Sequence, residues 1–350
     1  MLYVYSKPQH TNFTLLHSEK MATSNKTKLK KLMLTFLIII SIFIALLLGA
    51  CTLIAQPGVK PISTQVPDVS TENLIQHVRQ LSETYIPRSY TDIENLNATA
   101  DYITQQLQQH SERVSQQEFQ VDGNTYRNIV AYFGPQQGER IIVGAHYDAC
   151  GLTPGADDNA SGIAGLLELA RLLKEHPPTQ PIGLVAYTLE EPPFFRTDMM
   201  GSAVHAKALT EQGQKVKLMI AIEMIGYFSD EADSQQFPLD ILKKVYSDKG
   251  NFIGVISNMD NRKATGKVKS LMMGASDLPV YSLNAPAALV GIDFSDHRNY
   301  WTHHIPAVMV TDTAFYRNKQ YHKAGDTWDK LDYIRMAKVV QGIFAAIQNF

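Results

Sequence analysis

The chain has 350 residues, 45% hydrophobic and 19% charged, enough for one large domain or two small ones with a substantial core. A formal net charge of −2 gives no footing to a nucleic-acid or polyanion partner. The two cysteines, Cys51 and Cys150, cannot build a disulfide framework and form no Cys-x-x-Cys metal pair.

The chain opens with a leader, residues 1–31, ending in the basic cluster Lys26, Lys28, Lys30 and Lys31. Residues 32–55 are uncharged and dominated by Leu, Ile and Phe. About twenty helical residues cross a hydrocarbon core of roughly 30 Å, so this run is long enough to be a transmembrane anchor. The lysines stay cytoplasmic by the positive-inside rule, which places the remainder outside, periplasmic or extracellular. Leu48-Gly49-Ala50-Cys51 also resembles the box of a bacterial lipoprotein signal, in which Cys51 would be lipidated. Anchor and cleaved signal both remain open. Residues 56–69, rich in Pro, Gly, Ser and Thr, read as a tether, and residues 70–350 as the folded domain.

Apolar residues at helical spacing predict a helix from about residue 72, with Leu74, Val78 and Leu81 on its stripe. A second is predicted over 93–109, with Leu96, Ala100, Ile103 and Leu107. Strands follow over 114–121 and 126–133, joined by the hairpin signal Asp122-Gly123-Asn124. Residues 141–145 suit a buried strand with His146 at its carboxyl edge, and 163–173 an amphipathic helix begun by Asn159-Ala160-Ser161-Gly162. Buried strands over 182–188, 218–222 and 307–310 end at Glu190-Glu191, Glu223 and Thr311-Asp312; residues 336–349 form a closing helix. Strands alternating with helices imply an α/β fold, three-layer α/β/α with a central mixed, mostly parallel sheet. Ligands bind at the carboxyl ends of such strands, where these acids and His146 gather.

His146 and Asp148 share a face of an extended segment, so Asp148 can accept a hydrogen bond from the second ring nitrogen of His146. Aspartates cap helices well, and that role falls to Asp157, leaving Asp158 as a metal-ligand candidate. Glu190 and Glu191 repel each other and would suit a solvated loop edge. At a strand end they also suit a pair in which one carboxylate binds metal and the other is general base. His322 lies in Tyr321-His322-Lys323-Ala324-Gly325-Asp326-Thr327. Ser295-Asp296-His297 does not make a serine-hydrolase triad, because adjacent residues cannot converge and no nucleophile elbow is present. His176, His205, His303 and His304 lack motif context and read as surface or packing residues. No His-Glu-x-x-His occurs.

The order His-x-Asp, Gly155-Ala156-Asp157-Asp158-Asn159-Ala160-Ser161-Gly162, Glu-Glu, Glu223-Met224-Ile225-Gly226 and a late Tyr-His resembles the clan-MH zinc aminopeptidases. Their relatives include glutaminyl cyclases and inactive, transferrin-receptor-like ectodomains. The resemblance covers about residues 70–350 and implies a membrane-tethered exopeptidase that takes peptides and uses two zinc ions. His146 and Glu223 would bind one zinc, Glu191 and His322 the other, and Asp158 would bridge both. Glu190 would be the general base and Asp148 the partner of His146. Asp296 would support the substrate pocket; Phe194, Phe195, Met199 and Met200 follow the acidic pair and could wall an apolar side-chain pocket, with core packing the alternative for the two methionines. The family often has Asp where this chain has Glu223, a side chain longer by one methylene. A glutaminyl cyclase-like acyltransferase, usually holding one zinc, and a non-catalytic ectodomain are the alternatives on the same fold.

Overall fold

The computed structural model describes residues 12–350, and the side chains of residues 21, 26 and 28–350. The first part of the expected leader, residues 1–11, lies outside the described residues. The chain divides into two compact units, Met1–Thr52 and Leu53–Phe350. Helix α1 (Asn12–Ile54) contains Lys28–Ile54, a stretch long and apolar enough to cross a membrane. Its apolar side chains, among them Leu34, Phe36, Ile39 and Leu46, are exposed. That is the surface a bilayer span or a signal helix presents.

In the second unit, α2 (Thr71–Arg79) and α3 (Ile93–Gln108) begin at side-chain caps. Asn73 N donates to Ser70 Oγ at 3.1 Å, and Asn95 N to Asp92 Oδ1 at 3.1 Å. The hairpin of β1 (Val114–Val121) and β2 (Asn124–Phe133) turns on two residues, Asp122 and Gly123, at φ 50° and 82°. Positive φ at both positions gives the turn whose twist matches that of the strands. The second strand starts at Asn124 rather than Tyr126, because this tight turn keeps Asn124 paired with Val121.

The remaining strands are β3 (Arg140–His146), β4 (Ile182–Tyr187), β5 (Val216–Glu223), β6 (Ile253–Ser257), β7 (Val280–Asn284) and β8 (Ala307–Thr311). The eight strands form one sheet in the order β1-β2-β4-β3-β5-β8-β6-β7. Strands β4, β3, β5 and β8 are parallel neighbours, whereas β6 runs antiparallel to β8 and parallel to β7. One face is covered by α2, α3, α4 (Gly162–Glu175), α6 (Arg262–Met273) and α8 (Tyr333–Asn349). The other carries α5 (Gly201–Glu211) and the short α7 (His297–Trp301). The fold is therefore α/β, three-layer, with a mixed, mostly parallel sheet.

Strand β3 reads as an unbroken apolar run because both of its faces are covered. Ile141, Val143 and Ala145 join the core under α4 and α8, while Ile142 packs with Ala206, Leu209 and Tyr300 on the other side. Each such aliphatic side chain, when fully buried, contributes about 1.5–3 kcal/mol. The stretch expected as a tether lies along α6: Ile62 N donates to Ser270 O at 2.9 Å and Ser270 Oγ to Lys60 O at 2.5 Å. The elements without a counterpart in the sequence reading are α5, α6, α7, β6 and β7. Their segments are short or lack a clean period, and β6 and β7 gain their place by pairing with each other and with β8.

Candidate metal centre

The parallel strands deliver their carboxyl ends to one edge. His146 ends β3 and Glu223 ends β5, while Glu190 and Glu191 follow β4 closely. Asp158 comes from the kinked segment Ala156–Ser161 before α4, where its own backbone leaves helical geometry at φ −103° and ψ 89°. His322 comes from the loop after β8, with its side chain stacked on Tyr321 at 3.8 Å. The structure brings all six together.

Asp158 sits in the middle. Its Oδ1 lies 3.3 Å from His146 Nε2, and its Oδ2 lies 3.1 Å from His322 Nε2. On the first side, Glu223 Oε2 is 3.4 Å and Glu190 Oε2 3.9 Å from His146 Nε2. On the second, Glu191 Oε2 is 3.1 Å from His322 Nε2. Every carboxylate here is buried, as is His146; the His322 side chain keeps 26% of its surface exposed.

Electrostatics show what this arrangement lacks. Burial pushes the Glu190 and Glu223 carboxyls up and carries Glu191 to about 7, with neighbouring carboxylates adding to each rise. Burial opposes charge on His146 and His322, yet the surrounding carboxylates outweigh it, raising His146 well above its ordinary value and His322 to about 10. Asp158 is held well below the usual range: burial works against this, and both histidines overcome it. The nearby guanidinium of Arg88 gives its hydrogen bonds to backbone carbonyls, those of Leu81, Tyr147, Pro154 and Gly155. Among the described residues, no lysine or arginine forms an ion pair with these acids.

His146 Nδ1 donates to the backbone carbonyl of Asp148 at 3.1 Å, which turns Nε2 toward Asp158 and Glu223. Among the described residues, His146 Nε2, His322 Nε2 and Glu191 Oε1 are buried without a well-aligned hydrogen-bond partner. A nitrogen lone pair facing carboxylate oxygens is repelled unless a proton or cation lies between them. Imidazole and carboxylate are ligands that zinc accepts, and the residues present fit the metal. Two sets of ligand atoms gather closely, His146, Asp158 and Glu223 in one, Cys150, Glu191 and His322 in the other, each within 4.8 Å.

The Asp148 carboxylate lies 3.5 Å from His146 Nδ1, as expected, and has further contacts, while Asp157 differs from its expected role. The Asp148 carboxylate accepts from Glu190 N at 3.2 Å and Glu191 N at 3.0 Å, while its backbone carbonyl takes His146 Nδ1. It thus holds the acidic pair as well as adjoining the histidine. Asp157 is no helix cap: Gly226 N and Asn318 Nδ2 each donate to its carboxylate at 3.0 Å. The first amide of α4 goes instead to Asn159 Oδ1, at 3.1 Å.

A partly open aromatic cavity lies beside Glu223, lined by Phe237, Phe252, Tyr281, Phe294, Phe315 and Tyr316 among others. Phe194, Phe195 and Asp296 do not line it. Phe194 packs in the core against Tyr90 and Tyr126, because it follows the acidic pair inward toward α3 and β2. Phe195 stands edge-on to Phe294, one layer behind the wall. Asp296 is buried near His146 and Glu223, and burial carries its carboxyl up to about 7. Of the flanking methionines, Met200 is buried and Met199 exposed.

Supporting residues missed in the sequence act over long separations. Asp326 accepts from Asp157 N and Asp158 N at 3.0 and 3.1 Å. Asn159 ties its turn to β5, donating to Ile222 O at 2.8 Å and accepting from Met224 N at 3.0 Å. Ser295 Oγ donates to Glu223 Oε2 at 2.7 Å. Its neighbour His297, with no hydrolase role, donates through Nε2 to Ile292 O. Asp326, four residues beyond His322, and Asn159, beside Asp158, stood within the quoted motifs.

Known proteins share this fold. The sequence profile of peptidase family M28 matches residues 128–347. The chain is 46% identical to the uncharacterized protein YfbL of Escherichia coli, over 92% of this chain and 99% of that one. Its fold is similar to that of the LapA aminopeptidase of Legionella pneumophila, with TM-score 0.63 and 22% identity, over 80% of this chain and 71% of that one. It is also similar to that of a Bacteroides thetaiotaomicron glutaminyl cyclase bound to N-acetylhistamine, with TM-score 0.60 and 18% identity, over 82% and 100% of the two chains. The chain belongs to peptidase family M28.

Proposed function

We propose that this protein is a membrane-tethered zinc aminopeptidase that removes N-terminal residues from peptides outside the cytoplasm. The observation carrying this reading is the Asp158 carboxylate, whose two oxygens reach separate halves of the cluster, one toward His146 and one toward His322. That is the placement of a ligand shared between two ions. His146, Glu223 and Asp158 would hold one zinc, and Glu191, His322 and Asp158 the other. When bound, zinc supplies Lewis acidity and a nucleophilic water near neutral pH.

The chain's own residues do the rest. Glu190 takes a proton from the attacking water at its carboxylate and returns it to the leaving amide nitrogen. Its burial raises the carboxyl toward the range where it can both accept and release that proton. Asp148 keeps Glu190 and Glu191 on one rigid turn through their amides. The aromatic cavity beside Glu223 receives the N-terminal side chain, which favours large apolar residues there. The helix within Lys28–Ile54 is the tether, retained as an anchor or replaced by lipid at Cys51.

Metal analysis of the purified chain should find two zinc ions, with chelator-sensitive hydrolysis of aminoacyl chromogenic substrates. Glu190→Gln should abolish turnover while zinc stays bound. A zinc-loaded chain inert across the substrate panel would sink the proposal. One zinc per chain with cyclisation of N-terminal glutamine would replace it by the cyclase reading.

A further inference from the structure

We propose that Cys150 is a ligand of the second metal position, so that the two positions are unequal: one closed by protein, the other open for chemistry. This rests on the two-metal reading above. The family resemblance assigns no role to a cysteine, and the sequence showed none because Cys150 has no Cys-x-x-Cys partner.

The placement is geometric. Sγ of Cys150, a carboxylate oxygen of Glu191 and a ring nitrogen of His322 lie within 4.8 Å of one another. Asp158 Oδ2 is 3.1 Å from that same His322 Nε2. Thiol, imidazole and one carboxylate thus gather closely, and the Asp158 carboxylate approaches the same imidazole. Zinc–sulfur and zinc–nitrogen bonds of about 2.3 and 2.0 Å put ligand atoms some 3–4 Å apart, within a small side-chain rotation of what is seen. Glu191 is 5% exposed, and its Oε1 is buried with no hydrogen-bond partner among the described residues. An unsatisfied buried carboxylate oxygen at this point calls for a cation.

The thiol is also held in place. Ala149 N donates to Arg88 O at 2.7 Å, and Thr153 N and Oγ1 both donate to Cys150 O. The Arg88 guanidinium grips Tyr147 O, Pro154 O and Gly155 O on either side of the cysteine. A ligand on so braced a loop loses little freedom on binding. On binding, the S–H bond breaks, a sulfur–metal bond forms and the proton passes to solvent.

The consequence is a division of labour. Asp158, Glu191, His322 and Cys150 make four ligands, the number that closes a structural zinc site. His146, Asp158 and Glu223 make three, which leaves a position for water on the side where Glu190 stands.

Cobalt substitution tests the proposal without relying on turnover. The full-length chain loaded with two cobalt ions should show an intense near-ultraviolet thiolate-to-cobalt charge-transfer band, and Cys150→Ser should lose it. Mapping of iodoacetamide-labelled peptides should show Cys150 protected by metal, with Cys51 as internal control. Chelator competition should show one of the two zinc ions weakened about 100-fold or more in Cys150→Ser, beyond the 10–100-fold typical of an indirect contact. Two bound cobalt ions with no thiolate band, or Cys150 alkylated equally with and without metal, would overturn it. Those wild-type measurements decide the matter even if Cys150→Ser fails to fold. A chain that binds no metal would refute the two-metal reading instead.

Discussion

Asp148→Asn tests whether the acidic pair is held by a buried carboxylate. In the wild type, both Asp148 oxygens accept from backbone amides, Glu190 N at 3.2 Å and Glu191 N at 3.0 Å, and the residue is 2% exposed. Asparagine is nearly the same size but keeps one acceptor oxygen, and its NH2 group must face the other amide. A hydrogen bond to a charged group contributes about 1.5–3 kcal/mol, and stranding a buried backbone N–H costs about 1–3 kcal/mol more. Easing of the crowding among carboxylates offsets part of this, so a loss of about 3 kcal/mol is expected. Both tryptophans, Trp301 and Trp328, lie in the second unit, so urea unfolding followed by their fluorescence reports on that unit within the whole chain. Because Glu190 moves with its amide, kcat should fall at least tenfold, a loss of about 1.4 kcal/mol in the transition state, with KM little changed. Unfolding within about 0.5 kcal/mol of wild type together with unchanged kcat would refute the reasoning.

Ser295→Ala removes the hydroxyl that donates to Glu223 Oε2 at 2.7 Å. It should weaken zinc at the His146–Glu223 position about 10–100-fold in chelator competition and leave the other position alone; equal affinities at both would contradict the orienting role. His205 is buried against Tyr300, and burial pushes its imidazole down to about 3 from an ordinary 6.5. The unfolded chain therefore binds a proton there that the folded chain refuses, and stability is lost as pH falls below 6.5. The slope is about 1.4 kcal/mol per pH unit for this one group, ending near its folded value. His205→Gln should flatten the stability profile by that slope between about pH 6 and 4. An identical profile would show that His205 is already charged in the fold.

Much of the fold was legible because its signals are local. The period of Leu96, Ala100, Ile103 and Leu107 marks α3, the Asp122-Gly123 pair marks a tight hairpin, and the apolar run before His146 marks a strand covered on both faces. The segment from Glu223 to Ala307 was far less legible. Strands of five residues carry little pattern, and β6 owes its antiparallel course to pairing with β8. The aromatic cavity beside Glu223 was not legible for a related reason. Phe194 follows the acidic pair in sequence, but the turn sends it into the core, and Phe294 from a distant loop lines the cavity instead.

The sequence by itself determined which chemical groups are available: imidazole and carboxylate at the ends of apolar strands, in an order that a hydrolytic metal site requires. Contiguous motifs carry that information because strand, turn and ligand are bonded in series. Tertiary structure alone decided what those groups do to each other. It set the Asp158 carboxylate between His146 and His322, directed Asp148 to the amides of the acidic pair, and aimed Asp326 at a turn 169 residues away. It also brought Cys150 to the Glu191–His322 side of the cluster. Such pairings depend on distance in space, and the free energy of a buried charge is set by the neighbours that folding supplies, which no local pattern records.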